Sequence, residues 1–272
     1  MPIHPTAIVH PKAEVDSSCD IGPYVIIDEN VKLGPNNIVM AHAYLNGYTT
    51  IGEGNVFHMG CVIGHVPQHL AFKGGKTGLR IGNGNTFREY CQVHRGLEEG
   101  SETRIGDNNF FMGVSHVAHD CVIGNRVVVA NGALLAGHIV VEDRVFISGN
   151  VAVHQFVRLG TLAMIGGLAR VSKDVPPYML MEGNSTIRGL NVVGLRRAGI
   201  APDVRAQIRQ AYKILYHRGY NVSHALEEIK QRTLTTEIRH LVEFIENSKR
   251  GICKHIRDVS GETFEEDTDS EE

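Results

Sequence analysis

Tryptophan is absent from this chain of 272 residues, and aromatic residues make up only 6% of it. Long apolar runs are also missing, since none approaches the ~18–20 residues that span a bilayer. The chain does contain 30 glycines. Lack of tryptophan together with abundant glycine favours a repeat protein over an ordinary sandwich or doubly wound fold.

A strong net charge is lacking too. The formal value is −3, which gives no reason to expect a nucleic-acid binder. The first residues, Met-Pro-Ile-His-Pro, enter the repeat described next almost at once and have no signal-peptide pattern. We therefore expect a cytoplasmic protein without stable membrane insertion.

An aliphatic residue or phenylalanine occupies every sixth position of most of the chain. This ladder runs from Ile3 to Ile63, resumes from Ile81 to Val93, and continues from Ile105 to Val171. The spacing fits neither the 3.6-residue period of a helix nor the alternation of a strand. A hexapeptide period is typical of a parallel β-helix with about 18 residues per coil. Stacked coils then bury a continuous aliphatic column that no single coil could bury.

Four of the five cysteines share one phase of this repeat. Cys19, Cys61, Cys91 and Cys121 stand where alanine or serine stands in other hexapeptides. Free cysteine behaves there as a small hydrophobic residue. A disulfide framework or a zinc site would not keep to one phase, so we interpret all four as structural. Cys253 lies outside the repeat.

Two segments interrupt the ladder and are predicted to be loops. The first spans residues 66–78 and the second spans residues 96–102. Loops that leave a rigid solenoid often carry binding groups. The first is the stronger candidate because it combines Gln68, His69, Phe72 and Lys73.

The C-terminal third has a different pattern. The ladder ends at Val171, where Asp174-Val-Pro-Pro-Tyr178 stops it, and residues 182–191 are predicted to be a connection. Apolar spacing then predicts helices over about 201–218, 222–232 and 235–249, which would cover the last coil. We therefore predict a repeat domain over 1–190, a helical domain over 191–258, and an acidic, disordered tail over 259–272.

Polar residues gather along one edge of the predicted β-helix. One coil after His119 comes Gly137, which precedes His138. One coil after His138 comes Phe156, which follows His154 and Gln155. These groups are therefore expected to stack on successive coils.

The motifs around these residues resemble the UDP-N-acetylglucosamine O-acyltransferase family. They are Ser115-His-Val-Ala-His-Asp-Cys121, Leu135-Ala-Gly-His138, Ala152-Val-His-Gln-Phe156, Val93-His-Arg-Gly96, Asp174-Val-Pro-Pro-Tyr178 and Gly194-Leu-Arg-Arg-Ala-Gly199. The resemblance implies a mainly β fold, a left-handed parallel β-helix with C-terminal helices, assembled as a homotrimer. It implies transfer of a (3R)-hydroxyacyl chain from acyl carrier protein to the 3-position of a UDP-sugar, the first step of lipid A biosynthesis. The donor carries the chain on its phosphopantetheine, and no metal or other cofactor is expected.

The resemblance also implies roles for individual residues. His119 corresponds to the general base, Asp120 to its partner, and the Gly137 N–H to an oxyanion donor. Because neighbours in an extended strand face opposite ways, pairing of His119 with Asp120 requires a corner there. The expected substrate contacts are Gln68, His69, Lys73, His94, His116, His138, His154 and Gln155, together with Asn191 and Arg197, which correspond to contacts with the nucleotide end. Gly167 falls where the family sets acyl length. Glycine would leave the groove open there, whereas Arg170 nearby could shorten it, so the chain length stays open.

Departures from the family pattern leave the acceptor open. His69 stands where a carboxylate is usual, Ala71 where a lysine is common, and Val193 where an acidic residue is common. A 3-amino UDP-sugar, giving an amide product, therefore remains an alternative to the hydroxyl acceptor.

Other classes of function also stay open. They are a hexapeptide transferase that uses a CoA donor or acts at the later N-acylation step, a zinc site involving His116 and His119, and a non-catalytic trimeric scaffold. The later-step enzyme usually carries an added N-terminal domain, which the start of the repeat at Ile3 argues against. A further hypothesis concerns cationic residues near the predicted helices, which would attract an acidic carrier protein unless they form only a solvated face. These residues are Arg196, Arg197, Arg205, Arg209 and Lys213.

Overall fold

Three sheets of mainly parallel strands wind into a β-helix in the computed structural model, which describes residues 3–232 and 234–255. The first face contains β1 (Ile8–Val9), β4 (Ile26–Ile27), β7 (Tyr44–Leu45), β10 (Val62–His65), β13 (Gln92–His94), β16 (His116–Val117), β19 (Leu134–Leu135), β22 (Ala152–Val153) and β25 (Arg170–Val171). The second face contains β2 (Glu14–Val15), β5 (Lys32–Leu33), β8 (Tyr48–Ile51), β11 (Gly78–Ile81), β14 (Glu102–Ile105), β17 (Val122–Ile123), β20 (Val140–Val141) and β23 (Arg158–Leu159). The third face contains β3 (Asp20–Ile21), β6 (Ile38–Val39), β9 (Val56–Phe57), β12 (Thr86–Phe87), β15 (Phe110–Phe111), β18 (Val128–Val129), β21 (Phe146–Ile147), β24 (Met164–Ile165), β26 (Met179–Glu182), β27 (Thr186–Leu190) and β28 (Lys254–His255).

The hexapeptide ladder forms the core, as predicted. Each ladder residue from Val9 to Val171 is the residue of its strand that packs inward, and nearly all are fully buried. Strands stack in register one coil apart, for example Val117 on Leu135 and Leu135 on Val153. The four in-phase cysteines are buried free thiols, which confirms their structural interpretation.

Most corners between the faces place one residue in the left-handed conformation. Glycine, asparagine and aspartate tolerate it best, yet Val114, His138 and Phe156 adopt it as well, with φ of 60°, 60° and 63°. Sequence reasoning did not predict these bulkier residues at corners. Asp120 occupies such a position with φ of 58°, so the corner that pairing with His119 requires is present.

Both predicted loops leave the β-helix at the corner between the first and second faces. The first loop follows β10 and ends at β11, and the second follows β13 and ends at β14. Arg95 braces the first loop, since its guanidinium donates to Thr77 Oγ1 at 3.1 Å and lies 5.8 Å from the centroid of the Phe72 ring. His119 and His138 lie at the same corner on the next coils.

The chain after Tyr178 differs from the prediction. Residues 182–191 are not a simple connection, because β26 and β27 pair antiparallel and extend the third face. The helices are α1 (Val192–Arg197), α2 (Pro202–His217), α3 (Val222–Lys230) and α4 (Thr236–Glu246). The last three match the predicted helices with shorter ends, whereas α1 was not predicted. The predicted tail, residues 259–272, lies outside the described residues.

Helix α4 is fastened to the last coils by a charged cluster. His240 Nε2 lies 2.7 Å from Glu142 Oε2, and Thr161 Oγ1 donates to the same oxygen at 2.9 Å. Arg158 donates to the Phe244 carbonyl at 3.0 Å and stacks over its ring at 4.0 Å. Within the described part of the chain, no helix combines the length and apolar character needed to cross a membrane.

Candidate active site

The corner between the first and second faces brings His119 and Asp120 together. His119 Nδ1 lies 2.8 Å from Asp120 Oδ2; the His119 side chain is buried and the Asp120 side chain is nearly so. The left-handed turn at Asp120 redirects its carboxylate toward its neighbour's ring. A carboxylate only accepts, so Nδ1 carries a proton, and the corresponding neutral tautomer has its lone pair on Nε2.

The second loop holds the Asp120 carboxylate in place. Leu97 N–H donates to Asp120 Oδ2 at 3.1 Å, and Asp120 N–H donates to Thr103 Oγ1 at 2.8 Å. Burial by itself would raise the pKa of Asp120, but hydrogen bonds from Ser101, His119 and the Leu97 N–H outweigh it and lower that pKa. The carboxylate therefore stays ionised near neutral pH. These loop contacts were not predicted, although the segment itself was identified as a loop.

Gly137 lies directly against the imidazole of His119. A Cβ built on Gly137 would stand 2.5 Å from His119 Cε1 and 2.7 Å from Nε2. Glycine therefore leaves the space that the ring occupies. Among the described residues, none accepts a hydrogen bond from the Gly137 N–H, so this donor is available next to the base.

Three aromatic rings surround the pair. The His138 ring meets His119 edge-on at 5.1 Å and stacks on Phe156 at 4.6 Å. From the first loop, His69 contacts His119 edge-on at 5.2 Å. The predicted stacking of His119, His138 and Phe156 on successive coils is confirmed.

A second histidine cluster lies beside the first on the same face. The rings of His94 and His116 are 5.0 Å apart. Burial is the main cause that lowers the pKa of both, that of His116 to about 4, so both are neutral at physiological pH. His94 Nδ1–H donates to the Val66 carbonyl at 2.7 Å, which leaves its buried Nε2 as an acceptor without a partner in the described structure.

The remaining predicted site residues are more dispersed. Gln68 and Lys73 are exposed on the first loop, while His154 is exposed and Gln155 half-buried one coil beyond His138. Gly167 and Arg170 are exposed farther along the β-helix, and a Cβ on Gly167 would meet nothing closer than 3.7 Å.

Asn191 and Arg197, which were predicted to lie near the nucleotide, differ in whether their polar groups are free to bind a ligand. Both ends of the Asn191 amide are engaged: Nδ2 donates to the Leu162 carbonyl at 2.8 Å, and Oδ1 caps α1 by accepting from Gly194 N–H at 2.9 Å. Arg197 is exposed at the end of α1. Within this chain Asn191 is therefore a helix cap, while Arg197 can reach a ligand.

The His119, Asp120 and His138 side chains also form a group that could hold a cation, with ligand atoms within 4.8 Å of one another. Asp120 Oδ2 is the oxygen that accepts from both His119 and Leu97. A metal on that oxygen would have to displace these donors. The donor set therefore fits a hydrogen-bonded acid–base pair better than a zinc site.

Comparison with known proteins shows similarity to acyltransferases along most of the chain. Residues 174–253 match a family described as UDP N-acetylglucosamine O-acyltransferase, domain 2, and residues 102–137 match the bacterial transferase hexapeptide family. An acyl-[acyl-carrier-protein]–UDP-N-acetylglucosamine O-acyltransferase from Thermodesulfovibrio yellowstonii is 47% identical over 93% of this chain and 99% of its own. One from Syntrophobacter fumaroxidans is 44% identical over 93% and 100%. The crystal structure of a UDP-N-acetylglucosamine acyltransferase from Bacteroides fragilis superposes with a TM-score of 0.89 at 42% identity, covering 94% of this chain and all of that one.

Proposed function

Because this chain belongs to the UDP-N-acetylglucosamine O-acyltransferase family, we propose that it transfers a (3R)-hydroxyacyl chain from acyl carrier protein to the 3-hydroxyl of UDP-N-acetylglucosamine. The observation that carries the proposal is the buried His119–Asp120 pair with the Gly137 N–H beside it. In the proposed pathway this transfer opens lipid A assembly in the cytoplasm.

The geometry supports a general-base mechanism. His119 Nε2 takes the proton of the sugar hydroxyl while its oxygen attacks the thioester carbonyl, and Asp120 stabilises the imidazolium that forms. The developing oxyanion accepts from the Gly137 N–H. The C–S bond then breaks, and His119 returns its proton to the departing pantetheine sulfur. No metal or other cofactor enters this scheme, so transfer should survive dialysis against a chelator.

Neutral histidines support recognition of a hydroxyl-rich acceptor. His94 and His116 stay uncharged at physiological pH. His116 therefore offers both a donor and an acceptor, whereas His94, whose N–H donates to the Val66 carbonyl, offers an acceptor. The free Nε2 of His94 accepts from a ligand hydroxyl in this proposal. In this proposal, the donor and the acceptor are also contacted by Gln68, Lys73, His138, His154, Gln155 and Arg197. Arg197 lies at the nucleotide end of the acceptor.

One observation favours a second candidate acceptor, the 3-amino UDP-sugar. Where the family usually places a carboxylate, His69 lies edge-on to His119. A carboxylate there would stabilise a charged amine, whereas an imidazole favours a neutral one, which is the nucleophilic form. The ester and amide products follow from the same base and oxyanion donor.

Mass spectrometry of the product tests this proposal. The purified protein would receive a mixture of 3-hydroxyacyl carrier-protein thioesters with UDP-N-acetylglucosamine or its 3-amino analogue. We expect an acylated UDP-sugar whose mass gives the chain length, and whose alkaline lability separates ester from amide. Transfer only from acyl-CoA donors would instead support a CoA-dependent transferase.

Replacement of the base provides the matching control. His119→Ala should lower kcat by about 10²- to 10⁴-fold, the usual contribution of general-base catalysis. Its thermal unfolding and oligomer mass should stay unchanged. Near-normal turnover of this variant would falsify the assigned role of His119.

A further inference from the structure

Helix α2 presents a cationic face, formed by Arg205, Arg209 and Lys213. These residues are four apart, so they lie along one side of the helix. Across residues 192–217 five lysines and arginines face a single acidic residue, Asp203. The part of the chain that forms α1 and α2 is therefore strongly positive.

The arginines of this face differ from those on the neighbouring helices. Around α3 and α4, Arg218 and Arg232 pair with Glu228, and Lys230 pairs with Glu246. Within the described ranges, by contrast, no carboxylate pairs with Arg205 or Arg209, and the buried Nε of Arg205 has no acceptor. Arg205 and Arg209 on the cationic face thus have capacity for an anionic ligand.

A strongly acidic segment of the same chain begins next to it. Residues 256–272 contain eight acidic residues and one arginine. The family match ends at residue 253, so this acidic segment lies beyond the part that the family shares. Its charge is opposite to that of α2.

The end of the described chain fixes where the acidic segment starts. The His255 ring packs on His217 at 4.6 Å, and Tyr216 Oη–H donates to the Cys253 carbonyl at 3.2 Å. Tyr216 and His217 lie one turn beyond Lys213 on α2. Seventeen residues reach at most ~56–61 Å when extended, whereas α2 is only ~24 Å long. The segment can therefore cover the whole cationic face.

We propose that residues 256–272 bind the cationic face of α2 in their own chain and compete there with an acidic protein partner. That the partner is the carrier protein of the donor rests on the proposed function. Several exposed ion pairs of ~0.2–1 kcal/mol each, at the millimolar effective concentration of a short tether, give a weak block. Such a block slows donor binding without touching the chemical step.

Binding of the segment can be measured on the full chain without any substrate. All five native cysteines are buried, so Ser270→Cys accepts a neutral thiol-reactive dye selectively. We expect dye anisotropy to be high at low salt and to fall as ionic strength rises to ~0.5 M, where the Debye length is only a few ångströms. Arg205→Gln with Arg209→Gln should give the low value at every salt concentration. The matched control, Arg218→Gln with Arg232→Gln, should behave like the parent.

Competition is tested by kinetics. A full-length variant with Glu265, Glu266, Asp267 and Asp269 changed to their amides should show a KM for the carrier-bound donor about three- to tenfold lower at low salt. Its kcat should be unchanged, and the difference should vanish at high salt. The KM for UDP-sugar should be the same in both forms.

The outcomes separate the two proposals. Binding of the segment is overturned if the dye anisotropy does not change with salt concentration. It is also overturned if the Arg205/Arg209 and Arg218/Arg232 double variants change the anisotropy equally. Salt-sensitive anisotropy with an unchanged donor KM overturns the competition. Lack of transfer by every form counts against the proposed function, while the anisotropy still decides whether the segment binds α2.

Discussion

At the level of single residues, His119 takes its orientation from the next residue in the sequence. The left-handed backbone at Asp120 makes this possible, since the carboxylate turns back toward the ring it follows. Leu97 N–H, on the second loop, donates to that carboxylate, and Thr103 Oγ1, in β14, accepts from the Asp120 backbone N–H. The position of His119 Nε2 is thus set by the corner at Asp120 and by the second loop, while the strands hold the corner in place.

Asp120→Asn separates the charge of this carboxylate from its shape. Asparagine tolerates the left-handed conformation, so the corner should persist and the thermal midpoint should change little. Loss of the charge removes the group that fixes the His119 tautomer, and kcat should fall by about 10²-fold or more. Steady-state kinetics and thermal unfolding measure the two effects, and unaltered kcat would show that the charge is dispensable.

Gly137→Ala tests the close approach of backbone and base. The added methyl would stand 2.5 Å from His119 Cε1, so the ring must move, and a displacement of this size costs about 10²-fold in kcat. The matched control is Gly189→Ala, because a Cβ there meets nothing within 4 Å. Equal activity of the two variants would contradict the placement of Gly137 over the base.

At the level of elements, α4 is joined to the β-helix through the His240–Glu142 pair. The hydrogen bond with Glu142 is the main cause that raises the pKa of His240. Burial would raise the pKa of Glu142, but its contacts with His240 and Thr161 lower it. A raised histidine pKa stabilises the fold below its unfolded value of ~6.5, and this contribution is lost as pH rises through the folded pKa. A lowered carboxylate pKa stabilises above its unfolded value of ~4.3, and this contribution is lost as pH falls through the folded pKa.

The pair should therefore contribute most between these two transitions. Glu142→Gln keeps an acceptor for Thr161 and removes only the charge. At pH 5.5–6 we expect it to lower the free energy of unfolding by about 1 kcal/mol, a value reduced because both groups are partly exposed. The loss should be smaller at pH 9, because His240 loses its charge in either protein as pH rises through its raised pKa. Denaturant unfolding at both pH values measures this, and a loss independent of pH would exclude the charged pair as its cause.

Some structural elements were predictable from the sequence and others were not. Inward residues of the ladder were predictable because core burial repeats every six residues, and the stacking of His119 over His138 followed from the coil length. The β26–β27 hairpin was not predictable in this way, since its strands carry no hexapeptide phase. Corner geometry at Asp120 and the capping role of Asn191 depend on backbone angles and on partners far along the chain, such as Leu162.

At the scale of the whole molecule, exposed apolar side chains line the corner between the third and first faces. Tyr24, Tyr90, Val114 and Leu168 all exceed half exposure. Each also adopts the left-handed conformation, which is costly for a β-branched residue such as Val114. A second copy of the chain would shield such a column.

The exposed column favours self-association, and we expect a homotrimer in solution, as the resemblance to the family implies. Sedimentation equilibrium should give about three times the chain mass of 29.9 kDa, independent of dilution into the nanomolar range. Val114→Glu should shift the mass toward that of one chain, because a buried charge without a partner is costly. A monomeric parent protein would contradict the trimer.

The fixed register of the coils also restricts distances along the β-helix axis to steps of one coil. Each coil advances ~4.8 Å, the spacing of neighbouring strands, so Gly167 lies roughly 13 Å farther along the axis than His119. Insertions between them could alter this separation only by whole coils without shifting every inward residue out of phase. For the proposed acyl transfer, we therefore expect finer adjustment of the accepted chain length to come from the size of single side chains, such as the one at position 167.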